Sequence, residues 1–247
     1  MTVHCTCWSG SPTPTTGLPS ALAPNEVQLW LADIREVPNA ALQAFHNLLS
    51  PEERLRAEAF RLPRDERIFT LAHGWLRTLL GACLNHPPEA LEFEEETRGK
   101  PYLSKPPTDL QFNLSHSPPY VAVALAKGRP VGCDVEWLGK PFDWQSILEN
   151  YFSPEERRCI RDFPSFLLHW TRKETLLKIT GHGLVDDLPA ISLPSSSESC
   201  TLALPLTPPH NSDTLAIHSF TWKDAVLSLG AAGTDWELKV CFWNRGT

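Results

Sequence analysis

The chain has 247 residues, and 22 Lys+Arg against 29 Asp+Glu leave a formal net charge of −7. With 42% hydrophobic and 21% charged residues it has the composition of a compact globular protein, long enough for one large domain or two small ones. The acidic balance argues against general nucleic-acid binding, no run of roughly 18 apolar residues offers a membrane span, and scattered cysteines do not make a disulfide scaffold.

The start, Met1 to Trp8, has no basic stretch followed by an apolar one, so the sequence predicts a cytoplasmic protein with reduced cysteines. Cys5 and Cys7 have no second Cys-x-x-Cys pair to share a zinc ion with. Ser9 to Pro24 is rich in Pro, Ser and Thr, and residues 1–24 are expected to form a flexible N-terminal segment. Val27, Leu29 and Leu31 alternate with Gln28 and Trp30 and predict the first strand. A helical stretch follows from Ala40 to Leu49.

Ser50-Pro51-Glu52-Glu53 is a helix start. Ser50 can cap, Pro51 suits the first helical position, and Glu53 completes a capping box. Beyond Pro63, Ile68, Leu71, Ala72, Trp75, Leu76, Leu79 and Leu80 mark a long amphipathic helix. Leu91 and Phe93 predict a short strand, Arg98-Gly99-Lys100-Pro101 a basic turn, and Phe112 and Leu114 a brief strand. The latter runs into a Ser115-His116-Ser117 loop. Tyr120 to Ala126 is apolar enough for a central strand, and Val131 to Trp137 is a strand carrying acids.

Ser153-Pro154-Glu155-Glu156-Arg157 then repeats Ser50-Pro51-Glu52-Glu53-Arg54, with a second tryptophan-containing long helix behind it. Two readings stand: a duplicated α/β unit, or two unrelated helix starts. Thr201 to Leu206, Thr214 to Phe220 and Trp236 to Trp243 supply further strands, with Ala225 to Leu229 ambiguous. The order fits an α+β fold with mainly antiparallel strands.

Asp134 and Glu136 are the most informative residues. At i and i+2 on a strand, both carboxylates leave one face, where they repel unless a cation or proton lies between them. Hard oxygen ligands suit Mg²⁺, and a wet acidic edge strand is the other explanation. Glu174 interrupts the apolar stripe Phe163, Phe166, Leu167, Trp170 and Leu177. It either completes a three-carboxylate magnesium site, with Lys178 reaching phosphate, or forms an i,i+4 salt bridge with Lys178. His116 and its flanking serines, close after Asn113, could receive an anion. No Gly-x-Gly-x-x-Gly, P-loop, His-Glu-x-x-His or Gly-x-Ser-x-Gly motif is present.

Gly132-Cys133-Asp134-Val135-Glu136, Trp170-Thr171-Arg172-Lys173-Glu174 and the preceding Asn113-Leu114-Ser115-His116-Ser117 together resemble the 4′-phosphopantetheinyl transferases, specifically the long, surfactin-synthetase-activating type. Phe60 through Arg67, Gly99-Lys100-Pro101 and Phe152 through Glu156 extend the likeness over most of the chain. The resemblance implies a pseudo-dimer of two similar α/β halves, 25–129 and 130–247, with the cofactor in the cleft between them.

It also implies Mg²⁺-dependent transfer of the 4′-phosphopantetheine arm of coenzyme A to a serine of an apo acyl, polyketide or peptidyl carrier protein, by a monomer. The metal would sit among Asp134, Glu136 and Glu174. Coenzyme A would meet Arg56, Arg67, Arg98, Gly99, Lys100, Pro101, Ser115, His116, Asp134 and Lys178. Glu174 or Glu155 would take the serine proton, with Glu174 favoured because the core holds it more firmly. Glu53 stands where some relatives have a phosphate-binding lysine, and Thr175 where alanine is usual. The rivals are a magnesium phosphodiesterase and a non-catalytic coenzyme A or carrier-protein binding module.

Overall fold

The computed structural model describes residues 4–8, 22–97, 99–139, 141–181, 188–194, 199–203 and 214–243, with 4–8, 199 and 203 as backbone only. In chain order the elements are β1 (His4–Trp8), β2 (Glu26–Asp33), α1 (Asn39–Leu48), α2 (Pro51–Glu58), α3 (Pro63–Leu84), β3 (Glu92–Glu95), β4 (Pro101–Lys105), β5 (Leu110–Ser117), β6 (Tyr120–Lys127) and β7 (Val131–Trp137). There follow α4 (Trp144–Tyr151), α5 (Pro154–Cys159), α6 (Phe163–Thr180), β8 (Ser199–Ala203), β9 (Thr214–Trp222), β10 (Ala225–Ala232) and β11 (Glu237–Trp243). Short 3-10 turns at Pro88–Ala90 and Leu188–Ala190 follow the two long helices.

The strands make two main sheets, β1-β11-β2-β6-β5 and β7-β10-β9-β8, plus the β3-β4 hairpin. Two similar α/β regions result, as the sequence predicts. Alternation of side chains explains how they stack. Trp30, Ala32, Val121, Val123 and Leu125 pack on α1 and α3, in one core with Phe45, Leu71, Trp75 and Leu79. Val27, Leu29, Leu31, Tyr120, Ala122 and Ala124 face the other way, against Val131, Cys133, Val135, Leu227 and Leu229 of the second sheet. Each large aliphatic side chain so buried contributes about 1.5–3 kcal/mol.

Three details depart from the sequence reading. His4–Trp8, within the segment expected to be flexible, pairs in parallel with β11 as an edge strand. The C-terminal strand does not stay with the second half: β11 returns between β1 and β2, because its Leu238 and Val240 fill the inter-sheet core while Cys241 and Trp243 fill the helix-side core. And α4 precedes the second capped helix, in a stretch where the sequence predicts no element.

Both capping boxes form as expected, with Ser50 accepting from Glu53 N and Ser153 from Glu156 N. The second long helix, α6, is drawn close over β7. A Cβ on Gly132 would lie 2.6 Å from the Thr175 carbonyl oxygen and 2.9 Å from Ile179 N, so only a residue without one admits the helix. Gly230 on β10 is crowded in the same way by Ile179 and Ala216. This close approach sets Glu174 and Lys178 over the acidic strand.

Candidate active site

Ser115, His116 and Ser117 are not in a loop. They are the last three residues of β5, in register with Ala122, Val121 and Tyr120 of β6, and the turn is confined to Pro118-Pro119. The strand persists because its ladder with β6 continues to Ser117, and the serine hydroxyls find partners on β7, which together outweigh the turn preference of serine.

Alternate residues of β5 reach the free edge of β7 with side chains rather than backbone. Asn113 Oδ1 accepts from Cys133 N at 2.9 Å, Ser115 Oγ from Val135 N at 3.3 Å and Ser117 Oγ from Trp137 N at 3.1 Å. The two serines donate in turn to the acids: Ser115 to Asp134 Oδ1 at 2.8 Å, and Ser117 to Glu136 Oε2 at 2.9 Å. The edge of β7 is therefore covered, and Asp134 is only 5% exposed, which rules out the wet acidic edge.

Lys178 comes down from α6 onto the same strand. Its Nζ donates to Asp134 Oδ1 at 2.7 Å and to the Cys133 carbonyl at 3.0 Å. It thus bonds across to β7, and burial, which lowers its pKa, is overcome by Asp134, which raises it. Asp134 Oδ2 is buried and has no hydrogen-bond partner among the described residues. Burial and then the charges of Asp134 and Glu174 push the Glu136 carboxyl up to about 7. Glu174 is raised by burial first and by Asp134 second. Three acids crowd one another at the junction of the two halves, with one ammonium group among them.

His116 reaches solvent beside this cluster, and desolvation holds its pKa below the ordinary imidazole value, helped by the charges of His73 and Lys178. Lys100, after Gly99 with its left-handed φ of 82°, donates to the Lys178 carbonyl at 2.6 Å, capping the last turn of α6. Its pKa is lowered by burial. Pro101 opens β4 and is exposed, and Arg98 lies outside the described residues.

The remaining expected residues stand elsewhere. Arg56 lies over the Phe69 ring at 5.4 Å, on the α2–α3 corner. Arg67 donates to Asn39 of α1 at 2.8 Å. Glu155 is exposed in the first turn of α5, paired with Arg158 at 3.2 Å. Glu53 does not point to a phosphate: it receives Arg77 Nε at 2.8 Å and lies 3.4 Å from His73 Nδ1. Ser117, as a partner of Glu136, is the residue the sequence reading missed. Its signal was the alternation Asn113-x-Ser115-x-Ser117 in an otherwise apolar strand.

Asp134 Oδ2 suits a hard cation, being an oxygen donor that the protein leaves unsatisfied. Among the described residues no three His, Cys, Asp or Glu side chains converge as a closed metal shell. Magnesium tolerates this, since it usually keeps several waters and takes one or two carboxylates together with phosphate.

Residues 37–128 match the family model described as 4′-phosphopantetheinyl transferase, N-terminal, and residues 130–229 that of the 4′-phosphopantetheinyl transferase superfamily. The 4′-phosphopantetheinyl transferase HetI of Nostoc sp. is 32% identical over 90% of this chain and 94% of its own length. This chain belongs to the 4′-phosphopantetheinyl transferase superfamily. Other superfamily members similar to it are AcpT of Escherichia coli O157:H7, 33% identical over 70% of this chain and 89% of its own, and psf-1 of Bacillus pumilus, 34% identical over 64% and 69%. The boundary between the two family models falls immediately before β7, so the superfamily's two parts meet where the serines of β5 hold the acids of β7. No helix among the described residues of this transferase-family chain is long and apolar enough to cross a membrane.

Proposed function

We propose that this chain transfers the 4′-phosphopantetheine arm of coenzyme A to a serine hydroxyl of an apo carrier protein, in the manner of the surfactin-synthetase-activating type. The observation that carries this reading is the buried, unpartnered Asp134 Oδ2 beside Lys178, with Glu136 and Glu174 crowding the same junction. In the reaction the carrier serine oxygen bonds to the phosphorus attached to pantetheine. The bond from that phosphorus to the bridging oxygen breaks, and adenosine 3′,5′-bisphosphate departs.

Asp134, Glu136 and Glu174 would hold Mg²⁺, which supplies charge neutralisation at the pyrophosphate oxygens and the leaving group. Lys178 orients Asp134 and places a cation beside the same oxygens. His116, at the exposed end of β5, is positioned to receive a phosphate of coenzyme A, and Ser115 keeps Asp134 aligned beneath it. The serine proton passes to Glu174, whose burial makes it the stronger base. Glu155 is held below the usual carboxylate range, first by a hydrogen bond to its own backbone N–H and also by Arg158, so it accepts a proton poorly.

Carrier proteins of acidic surface would be steered by the exposed arginines around α5, Arg158 and Arg161 foremost. Arg157 is held back by its bond to the Phe152 carbonyl at 3.0 Å.

Intact mass spectrometry of apo fatty-acid, polyketide and peptidyl carriers tests the reading, each incubated with this protein, coenzyme A and Mg²⁺, with and without EDTA. The expected result is an EDTA-sensitive gain of one phosphopantetheine arm on at least one carrier. Coenzyme A binding without transfer to any carrier would support the binding-module alternative instead.

A further inference from the structure

The hydroxyl of Ser117 has both of its roles fixed. It accepts the Trp137 N–H at 3.1 Å, and its one proton goes to Glu136 Oε2 at 2.9 Å. Among the described residues no other donor meets the Glu136 carboxylate. One oxygen of this acid is thereby anchored, and the other is not engaged by the serine. Ser115 treats Asp134 in the same way two residues earlier: Oδ1 is engaged by Ser115 and Lys178, and Oδ2 is left over.

The backbone under Glu136 does not depend on this hydroxyl alone. β7 is paired throughout with β10, with Glu136 opposite Val226 and Trp137 opposite Ala225. Trp137 is held again through its indole Nε1, which donates to Asp224 Oδ2 at 2.7 Å. Loss of the Ser117 hydroxyl should therefore leave the strand in place and release only the carboxylate, which like charges would then swing away from Asp134 and Glu174.

We propose that Ser117 is a positioning residue of the transfer site, orienting Glu136 toward the cation as Ser115 orients Asp134. The inference rests on the phosphopantetheinyl-transfer reading and adds a partner to its acids. Groups that hold a ligand in place typically change metal affinity 10–100-fold when removed.

The test measures Mn²⁺ binding to the full chain saturated with coenzyme A, without a carrier, from the electron paramagnetic resonance signal of free Mn²⁺. Ser117→Ala is expected to weaken binding about 10-fold or more, while Ser117→Thr, which keeps the hydroxyl on a strand-favouring residue, stays near wild type. Both variants should melt within a few degrees of wild type. In turnover, Ser117→Ala should need more Mg²⁺ for half-maximal rate and approach the wild-type kcat at saturation. Wild-type Mn²⁺ affinity in Ser117→Ala overturns the proposal, as does equal impairment of the Ala and Thr variants. If the wild-type chain neither binds Mn²⁺ nor transfers the arm, the transfer reading itself fails and takes this inference with it.

Discussion

Lys173 Nζ lies 3.0 Å from a carboxylate oxygen of Glu156, and both side chains are shut off from solvent. The lysine also donates to the Leu188 carbonyl at 3.1 Å and the Ile191 carbonyl at 2.6 Å, binding the 3-10 turn to the cap of α5. The first half holds a counterpart. Arg77 donates to Glu53 at 2.8 Å, to the Pro88 carbonyl at 3.1 Å and to the Leu91 carbonyl at 2.9 Å. In both halves a cation of the long helix clamps a capping-box glutamate and the two ends of the following 3-10 turn. Repetition at this level favours a duplicated unit over two unrelated helix starts, and it gives Lys173 of the Trp-x-x-Lys-Glu element a structural task.

Removing one partner of such a buried pair leaves an uncompensated charge. Lys173→Met should therefore destabilise the fold by about 3–5 kcal/mol, read from urea unfolding. Lys173→Met combined with Glu156→Gln should recover part of the loss. If the double variant is as unstable as the single one, the cost lies in the lost carbonyl bonds and not in the stranded glutamate.

Glu53 makes the first clamp pH-sensitive. Burial would raise its pKa, but hydrogen bonds from His73, Arg77 and Ser50 N hold it down to about 2 from the ordinary 4.5. A lowered carboxylate stabilises the fold when ionised, so its contribution is complete above pH about 4.5 and is lost as pH falls toward about 2. Discounted for partial solvent screening, it is on the order of 1–2 kcal/mol. Wild type should lose this much more stability than Glu53→Gln between pH 5 and pH 2 in chemical denaturation. Parallel stability curves would show that the clamp is insensitive to Glu53 charge.

Much of this architecture is legible in the sequence because it rests on local rules. Two Ser-Pro-Glu-Glu starts form two capping boxes, and the alternation in Val131–Trp137 places Asp134 and Glu136 on one face. What depended on distant partners was not legible. Ser115-His116-Ser117 reads as a loop from composition and becomes strand because β6 and β7 lie on either side. Lys178 reads either as a phosphate contact or as a partner for Glu174 one turn away, and its ammonium crosses to Asp134. Glu237–Trp243 reads as part of the second half, yet its two apolar faces fit only between β1 and β2.

Gly132 admits α6 to β7. Gly132→Ala would drive a methyl into the backbone at Thr175 and Ile179, so the helix must shift and draw Lys178 away from Asp134. Overpacking of this kind costs about 1–3 kcal/mol. Transfer should fall at least tenfold with coenzyme A affinity reduced, measured by calorimetry and single-turnover kinetics. Unchanged coenzyme A affinity and rate would mean that the helix can give way without moving the lysine.

Glu136 is raised to about 7 from 4.5, so its ionised form disfavours the fold. Stability should therefore fall as pH rises from about 4.5 through 7 when no divalent cation is present. Glu136→Gln removes that penalty, and the variant should be about 1–3 kcal/mol more stable than wild type at pH 8. The two should converge near pH 5, while transfer by the variant drops at least a hundredfold. Added Mg²⁺ should raise the melting temperature of wild type and not of Glu136→Gln. Thermal melts at the two pH values decide, and equal stability at pH 8 would show that burial and the neighbouring acids impose no folding penalty on ionised Glu136.

Glu174 is held on α6 beside the acids of β7, whereas Glu155 is exposed and paired with Arg158 on α5. Glu174→Gln should abolish single-turnover transfer even at saturating Mg²⁺, while Glu155→Gln should retain a rate within about tenfold of wild type, its remaining effect falling on carrier binding. The raised pKa of Glu174 also implies a rate that climbs as pH passes its titration and then levels off, since the base acts only when ionised. Loss of chemistry in Glu155→Gln alone, with metal affinity intact, would transfer the role to α5 and leave Glu174 as a metal ligand only.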